Sequence, residues 1–307
     1  MKIDRYTRCK LIEYALSDLH LKVDFKDISD NDTLEYIIAK KIIERSHYCV
    51  FGQLPSYGIT HDNSFNRLIH WCLKELQGNS NLQLKNNESS EIKKLLGMFK
   101  LYSVGISDNY NNIVLSESRD FELLNYCKLF IDMKKSHQNK KATLEDNEIA
   151  SDSFLFEMVI KQAATDLFGK ENISRKLSNT SGIGQLLIAD TVIKHNDKCI
   201  ILDAKFYNNQ PLSTENGRTV YKFQNNRYQM CSYITQLKFN TFTDLDVQDV
   251  VGVIIHAIDG TEDYNYTLVD NHMNIGDNII LLEFVDIKQS SENIINQIKL
   301  IINKYID

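Results

Sequence analysis

The chain divides into two parts according to how its apolar residues are spaced. Residues 1–115 carry apolar side chains at helical intervals, and helices are predicted over 4–21, 32–48, 63–76 and 89–102. From residue 116 onward, helical stretches alternate with short apolar runs that are typical of strands. This change in pattern predicts a mainly helical region over 1–115 and an α/β domain over 116–307.

The second part has a clear predicted order of elements. Polar stretches at 136–152 and 208–219 are predicted to be a linker and a loop. Helices are predicted over 116–135, 153–168, 225–237 and 291–305, and strands over 173–177, within 186–207, over 249–258 and over 278–287. The order of helix, strands, helix and further strands predicts a mixed α/β sheet.

Residues 186–207 contain charges inside two apolar strands, which a polar turn at 195–197 joins. The charges are Asp190, Asp203 and Lys205. Side chains alternate along a strand, so Asp203 and Lys205 project to one side, and the hairpin brings Asp190 alongside. Two carboxylates and an ammonium suit a divalent cation with oxygen ligands and a lysine beside an attacking water. The alternative is an ion pair that only stabilises the sheet.

Two flanking helices carry further polar residues at informative positions. Glu157 lies near the predicted start of the helix before the sheet, where the alternative is a solvated carboxylate favoured by the helix dipole. Gln229 and Tyr233 are four residues apart, so they share one face of the helix over 225–237. The alternative for Tyr233 is a place in the core.

These residues carry a resemblance to a known superfamily. Asp190 followed by Asp203-Ala204-Lys205 resembles the PD-(D/E)xK nuclease signature, with Ala189 where a proline is usual, and Gln229-x-x-x-Tyr233 resembles the RecB-like branch. The blocks FLFEMVI, IADTVI, IILDAKFY and NNRYQMCSYI together resemble McrC, the nuclease subunit of McrBC restriction systems, and LlaJI-type restriction endonucleases. The similarity covers roughly residues 119–237.

The resemblance implies a mixed-sheet, restriction-endonuclease-like core over 116–307 and a Mg²⁺-dependent endodeoxyribonuclease, with Mn²⁺ as a substitute. The implied metal ligands are Asp190, Asp203, the Ala204 carbonyl and Glu157. Lys205 and Gln229 would complete the catalytic set, and Tyr233 and Arg227 are candidate DNA contacts.

Partners and setting are implied in the same way. The resemblance implies double-stranded DNA as substrate, a bacterial restriction or defence role, and a McrB-like AAA+ GTPase as partner, because no G-x-x-x-x-G-K-[ST] motif occurs in this chain. Residues 1–115 would then recognise the target or dock the partner, and the chain could act as a homodimer on DNA. The alternatives are a stand-alone type II-like restriction or repair nuclease and a catalytically silent adaptor that binds DNA or protein.

Composition restricts the class of protein only in part. A hydrophobic content of 43% and a charged content of 25% are ordinary for a globular protein. The sequence contains no run of 18 apolar residues, so no membrane span is predicted. Six scattered cysteines without a C-x-x-C pair indicate reduced thiols and a cytoplasmic location. The net charge of −6 excludes a uniformly basic nucleic-acid coat, but not a local basic patch.

Overall fold

The structure is a computed structural model, and the chain forms two compact units. One unit combines Met1–Ala15 with Asp152–Asp307, and the other is Leu16–Ser151. Every structural statement below refers to the described residues, which are 3–17, 33–52, 64–79, 82, 84–99, 113, 118–137, 144–176, 188–196, 198–206, 212–215, 218–221, 224–239, 249–260, 272–275 and 278–305.

The unit Leu16–Ser151 is helical in its described parts. Its helices are α2 (Leu34–Gly52), α3 (Ser64–Gly78), α4 (Asn86–Met98) and α5 (Ser118–His137). The buried side chains of α3 recur every three or four positions, so they form one apolar stripe that packs against the other helices. They are Phe65, Leu68, Ile69, Cys72, Leu73 and Leu76. Helix α5 packs on α2 and α3.

The other unit is built on a mixed sheet. Its strands are β1 (Ile173–Lys176), β2 (Ile188–His195), β3 (Lys198–Lys205), β6 (Asp249–Ile258), β7 (His272–Ile275) and β8 (Asn278–Asp286), in the order β1-β2-β3-β6-β8-β7. The pairs β3/β6 and β6/β8 are parallel, and the other neighbours are antiparallel. Strands β4 (Leu212–Glu215) and β5 (Arg218–Tyr221) form a separate antiparallel pair.

Helices cover both faces of this sheet. Helix α7 (Gln224–Phe239) packs Met230, Tyr233 and Ile234 onto one face. On the other face Phe206, directly after β3, meets Phe156 of α6 (Leu144–Phe168), with ring centroids 6.2 Å apart. These layers leave the central strand β3 buried from Cys199 to Ala204.

Two terminal helices complete the sheet-containing unit. They are α1 (Arg5–Ala15) and α8 (Ser291–Asn303). Asp166 of α6 links them, because its Oδ2 accepts a 2.6 Å hydrogen bond from the hydroxyl of Tyr14 and lies 2.7 Å from Nζ of Lys299. Helix α1 is also joined to α6 by a buried ion pair between Arg8 and Asp152, whose Nη2 and Oδ2 atoms are 3.0 Å apart.

The prediction of an α/β class with a mainly helical N-terminal part is confirmed, but the two units differ from a division at residues 115/116. Helix α5 belongs with the helical unit because it packs on α2 and α3, and α1 belongs with the sheet because it packs on α8. Among the described helices, none combines the length and apolar character needed to cross a bilayer.

Three local predictions are wrong. Helix α6 begins at Leu144, so much of the predicted linker 136–152 is helical, and Glu157 lies well inside α6. The predicted loop 208–219 contains β4 and the first residues of β5, and β7 was not predicted. Polar residues in the first part of α6 led to the prediction of a linker, but two of them have tertiary partners. Ser151 Oγ accepts a 2.9 Å hydrogen bond from the backbone N–H of Leu34, and Asp152 pairs with Arg8.

Candidate active site

The β2–β3 hairpin brings the charged residues of the two strands together. Its register pairs His195 with Lys198 and continues to Thr191 opposite Leu202. The turn includes Asn196 in the left-handed region, with φ of 54°, a conformation that asparagine tolerates better than most residues. Asp190 is the next residue beyond this register, and its carboxylate reaches the backbone of Ala204, so it lies alongside β3 as the sequence predicts.

Both aspartates make contacts that fix their carboxylates. Asp190 Oδ2 accepts a 2.8 Å hydrogen bond from the backbone N–H of Ala204. Asp203 is 1% exposed, and its Oδ2 lies 2.6 Å from Nζ of Lys205. That approach is ionic rather than an aligned hydrogen bond, because within the described residues Asp203 Oδ2 has no hydrogen-bond partner. The predicted convergence of Asp190, Asp203 and Lys205 is therefore present.

Helix α7 extends this cluster through two side chains. Lys205 Nζ donates to Gln229 Oε1 at 3.3 Å, and Gln229 Nε2 donates to the hydroxyl of Tyr233 at 2.7 Å. Tyr233 is buried with its ring in the core between α7 and the sheet. Gly252 lets the helix approach, because a Cβ there would lie 2.5 Å from Cγ of Met230. The helix thus holds Gln229 over the end of β3.

The remaining predicted site residues lie on the same helices. Arg227 is half-buried on α7, and Glu157 is half-buried on α6. Roles for Tyr233 and Arg227 toward DNA, and for Glu157 and the Ala204 carbonyl toward a metal, stay predictions.

Burial and neighbouring carboxylates raise the pKa values of Asp203 and Tyr233. Burial and then the charge of Asp190 raise the pKa of Asp203 to about 7, although Lys205 acts in the opposite direction. Burial, followed by the charges of Asp203 and Asp190, raises the pKa of Tyr233 to about 12, so its hydroxyl stays protonated. In this structure the positive charge of Lys205 does not fully offset the two acids.

The donor set fits a hard divalent cation. Two carboxylates lie side by side, and one buried oxygen of Asp203 has no aligned donor within the described residues. Mg²⁺ prefers such oxygen ligands and is often held by one or two protein carboxylates. Among the described residues no group of three or more Asp, Glu, His or Cys side chains is placed to hold a metal ion. The acids therefore form a pair, to which water and substrate oxygens would add.

A buried histidine that is not among the predicted site residues lies next to the cluster. His256 of β6 is in register with Lys205 and is 1% exposed. Burial and then the charge of Lys205 lower the pKa of His256 to about 3. Its proximity depends on the parallel pairing of β3 with β6, which no local pattern reveals. Glu283 of β8 instead forms an ion pair with Lys304, with Oε1 and Nζ 2.7 Å apart.

No protein-family model matches the chain, and no curated protein matches it significantly. Conclusions about the chemistry therefore rest on the site itself. That site offers two carboxylates for a cation, a fixed ammonium beside them, and an amide held over the same strand end.

Proposed function

We propose that the chain is a Mg²⁺-dependent DNA endonuclease with a PD-(D/E)xK site made by Asp190, Asp203 and Lys205. The observation that supports it most directly is the pair of adjacent carboxylates beside one ammonium in an otherwise apolar hairpin. An ion pair that only stabilises a sheet needs one acid and one base. A second acid that raises the pKa of the first is unfavourable without a cation, which argues against a silent adaptor.

In the proposed reaction, each side chain acts from the position it already holds. Asp190 and Asp203 would hold the ion as the carboxylate pair, with the Ala204 carbonyl as a further ligand and Glu157 acting through a water. When bound, Mg²⁺ supplies positive charge that polarises the scissile phosphate and lowers the pKa of a water. Lys205, held by Asp203 and Gln229, would orient the attacking water and offset negative charge as the phosphate becomes pentavalent.

Gln229 has a supporting role in the same proposal. Its amide nitrogen is tied to the hydroxyl of Tyr233 and its amide oxygen to Lys205. The orientation of the amide is therefore fixed, with the oxygen toward the ammonium. Gln229 would place the lysine and contact the water or a phosphate oxygen, which is the kind of preorganisation that lowers a barrier.

The proposed biological setting follows from the resemblance to McrC. Double-stranded DNA would be the substrate, a McrB-like AAA+ GTPase would translocate it, and residues 1–115 would dock that partner or recognise the target. Two copies of the chain on DNA would cut both strands. A stand-alone restriction or repair nuclease would use the same site without a motor.

Plasmid cleavage by the purified full chain with Mg²⁺ tests the site. Asp203→Asn and Lys205→Ala should each abolish nicking, since loss of a positioned acid–base group typically lowers rates by about 10²–10⁴-fold. Lys299→Ala, which removes the ion pair with Asp166 outside the site, is the matched control and should cleave normally. Wild-type cleavage by both site variants would refute the assignment.

The same assay with and without the neighbouring gene's NTPase and GTP distinguishes the two settings. Cleavage that needs both, on methylated DNA in particular, favours a McrC-like subunit. Cleavage by the chain with Mg²⁺ alone favours the stand-alone nuclease. Absence of cleavage and of Mn²⁺ binding under all conditions would refute the proposed function.

A further inference from the structure

His256 lies beside the proposed catalytic lysine on the neighbouring strand. Strand β6 runs parallel to β3 and β8, and its register pairs His256 with Lys205 on one side and with Phe284 on the other. Register partners on adjacent strands project from the same face of a sheet. The imidazole therefore shares a face with Lys205, and it stacks on the Phe284 ring with centroids 6.1 Å apart and planes 25° apart.

A histidine is an unfavourable residue for this position unless it meets a polar group. The side chain is 1% exposed and lies within the otherwise apolar run VIIHAI in the middle of the sheet. Burial of a polar ring costs free energy that an aliphatic side chain in the same place would avoid. The charged neighbour that register supplies is Lys205, whose positive charge is, after burial, the second cause of the lowered pKa of His256.

The imidazole of His256 can lie next to the Lys205 ammonium without charge repulsion because the ring is neutral. Burial, and then the charge of Lys205, keep the pKa of His256 near 3, far below neutral pH. A neutral imidazole has one N–H that donates and one nitrogen that accepts, whereas an ammonium only donates. A neutral ring therefore carries an acceptor that a neighbouring ammonium can use, and it adds no second positive charge next to the lysine.

We propose that His256 is a positioning residue that holds the Lys205 ammonium against Asp203 and Gln229. The ammonium lies 2.6 Å from Asp203 Oδ2 and 3.3 Å from Gln229 Oε1, which are contacts toward its own strand and toward α7. His256 bounds the lysine on the side of β6. A flexible four-carbon side chain loses rotational freedom when all three sides are occupied, and the ammonium then stays where the proposed reaction needs it.

The catalytic consequence rests on the proposed nuclease function, whereas the placement of Lys205 does not. The test therefore measures both in the full chain. His256→Leu keeps volume without polar atoms, His256→Gln keeps an accepting group, and Ile255→Val, on the opposite face, controls for a small loss of packing. Cleavage gives kcat and KM with Mg²⁺, and competitive acetylation with mass spectrometry gives the reactivity of Lys205 relative to exposed Lys238 without DNA.

His256→Leu should lower kcat about ten- to a hundredfold, as removal of a supporting partner typically does, and leave KM for DNA unchanged. It should also increase acetylation of Lys205. His256→Gln should restore most of both properties, and Ile255→Val should match the wild type. If His256→Leu does not fold, His256→Val, which also has no polar side-chain atom, takes its place with the same two expected results.

The outcomes separate the two proposals. Wild-type kcat and wild-type acetylation in His256→Leu would overturn the positioning role and leave His256 as a packing residue. Increased acetylation of Lys205 in a chain that never cleaves DNA would support the positioning role and count against the nuclease.

Discussion

The carboxyl group of Asp203 makes the stability of the metal-free protein depend on pH in an unusual direction. Its pKa rises from the usual 3.8 to about 7 because of burial and the nearby charge of Asp190. Between these pH values the folded protein keeps a proton that the unfolded chain has released. The contribution of Asp203 to the free energy of unfolding is therefore fully present below pH 3.8 and is lost as pH rises through 7.

The size of this effect follows from the difference between the two pKa values. A difference of about three pH units, at about 1.4 kcal/mol for each, amounts to about 4 kcal/mol, of which about 3 kcal/mol falls between pH 5 and pH 8. Asp203→Asn removes the dependence because an amide does not ionise. The variant should gain about 3 kcal/mol relative to the wild type across that range.

His256 changes the free energy of unfolding with pH in the opposite direction to Asp203. The effect of Asp203 must therefore be measured as the difference between the wild type and Asp203→Asn. Burial and Lys205 lower its pKa from 6.5 to about 3, so below pH 6.5 the unfolded chain gains a proton that the folded protein does not. Its contribution is present above pH 6.5 and is lost as pH falls. The two groups partly cancel in the wild type, and only the difference between wild type and Asp203→Asn isolates the carboxyl group.

Urea unfolding with EDTA at several values from pH 5 to pH 8, followed by far-UV circular dichroism, measures that difference. Parallel curves for wild type and Asp203→Asn would refute the argument, because they would mean that the carboxyl group titrates alike in folded and unfolded chains. Mg²⁺ adds a second check. A cation binds the ionised site, so it should stabilise the wild type more at pH 8 than at pH 6 and leave Asp203→Asn unaffected.

Three further substitutions test how the sheet-containing unit is held together, each by urea or thermal unfolding. Arg8→Ala removes the guanidinium that Asp152 pairs with at 3.0 Å, and should lower the free energy of unfolding by about 3–5 kcal/mol. Gly252→Ala places a Cβ 2.5 Å from Cγ of Met230 and should cost about 1–3 kcal/mol, part of which Met230→Ala in the same chain should restore. Ser290→Ala removes the cap that begins α8, where Ser290 Oγ accepts from a backbone N–H at 3.3 Å, and should cost about 1 kcal/mol.

Local sequence patterns were sufficient to predict the helices and strands that bury one regular face. The bounds predicted for β6 are those observed, and α8 and β8 end within two residues of the predicted positions. The hairpin of Asp190 and Asp203 was predictable for the same reason, because strand alternation and a polar turn decide which side chains share a face. Gln229 and Tyr233 are linked by a hydrogen bond, as helical spacing implies.

Three short strands, β4, β5 and β7, were missed although the sequence contains a turn signal beside each of them. Asn216-Gly217 separates β4 from β5, and Gly276-Asp277 separates β7 from β8. Asn-Gly and Gly-x are the pairs that two-residue hairpin turns favour. Strands of four residues carry too little alternation to stand out from a polar loop, so the turn was the only usable signal.

Other errors arose from contacts that span the chain. The first residues of α6 are polar, and their burial at Ser151 and Asp152 depends on Leu34 and Arg8, more than a hundred residues away. The place of His256 beside Lys205 likewise depends on a crossover between parallel strands. A parallel pair has no turn that sets its register, so the sequence around either residue does not reveal the other.

The unfavourable electrostatics of the site and its proposed activity have one cause. Apolar strands and α7 remove water from Asp203, and this burial together with Asp190 raises the pKa of Asp203 to about 7. In the metal-free protein that arrangement reduces stability at neutral pH. A cation that binds both carboxylates would relieve their repulsion and displace the proton, so the binding free energy would include the repulsion removed. Replacing either acid by an amide should therefore increase stability without metal and abolish the response to Mg²⁺, and a variant that lost activity without gaining stability would indicate that the acids do not act as a pair.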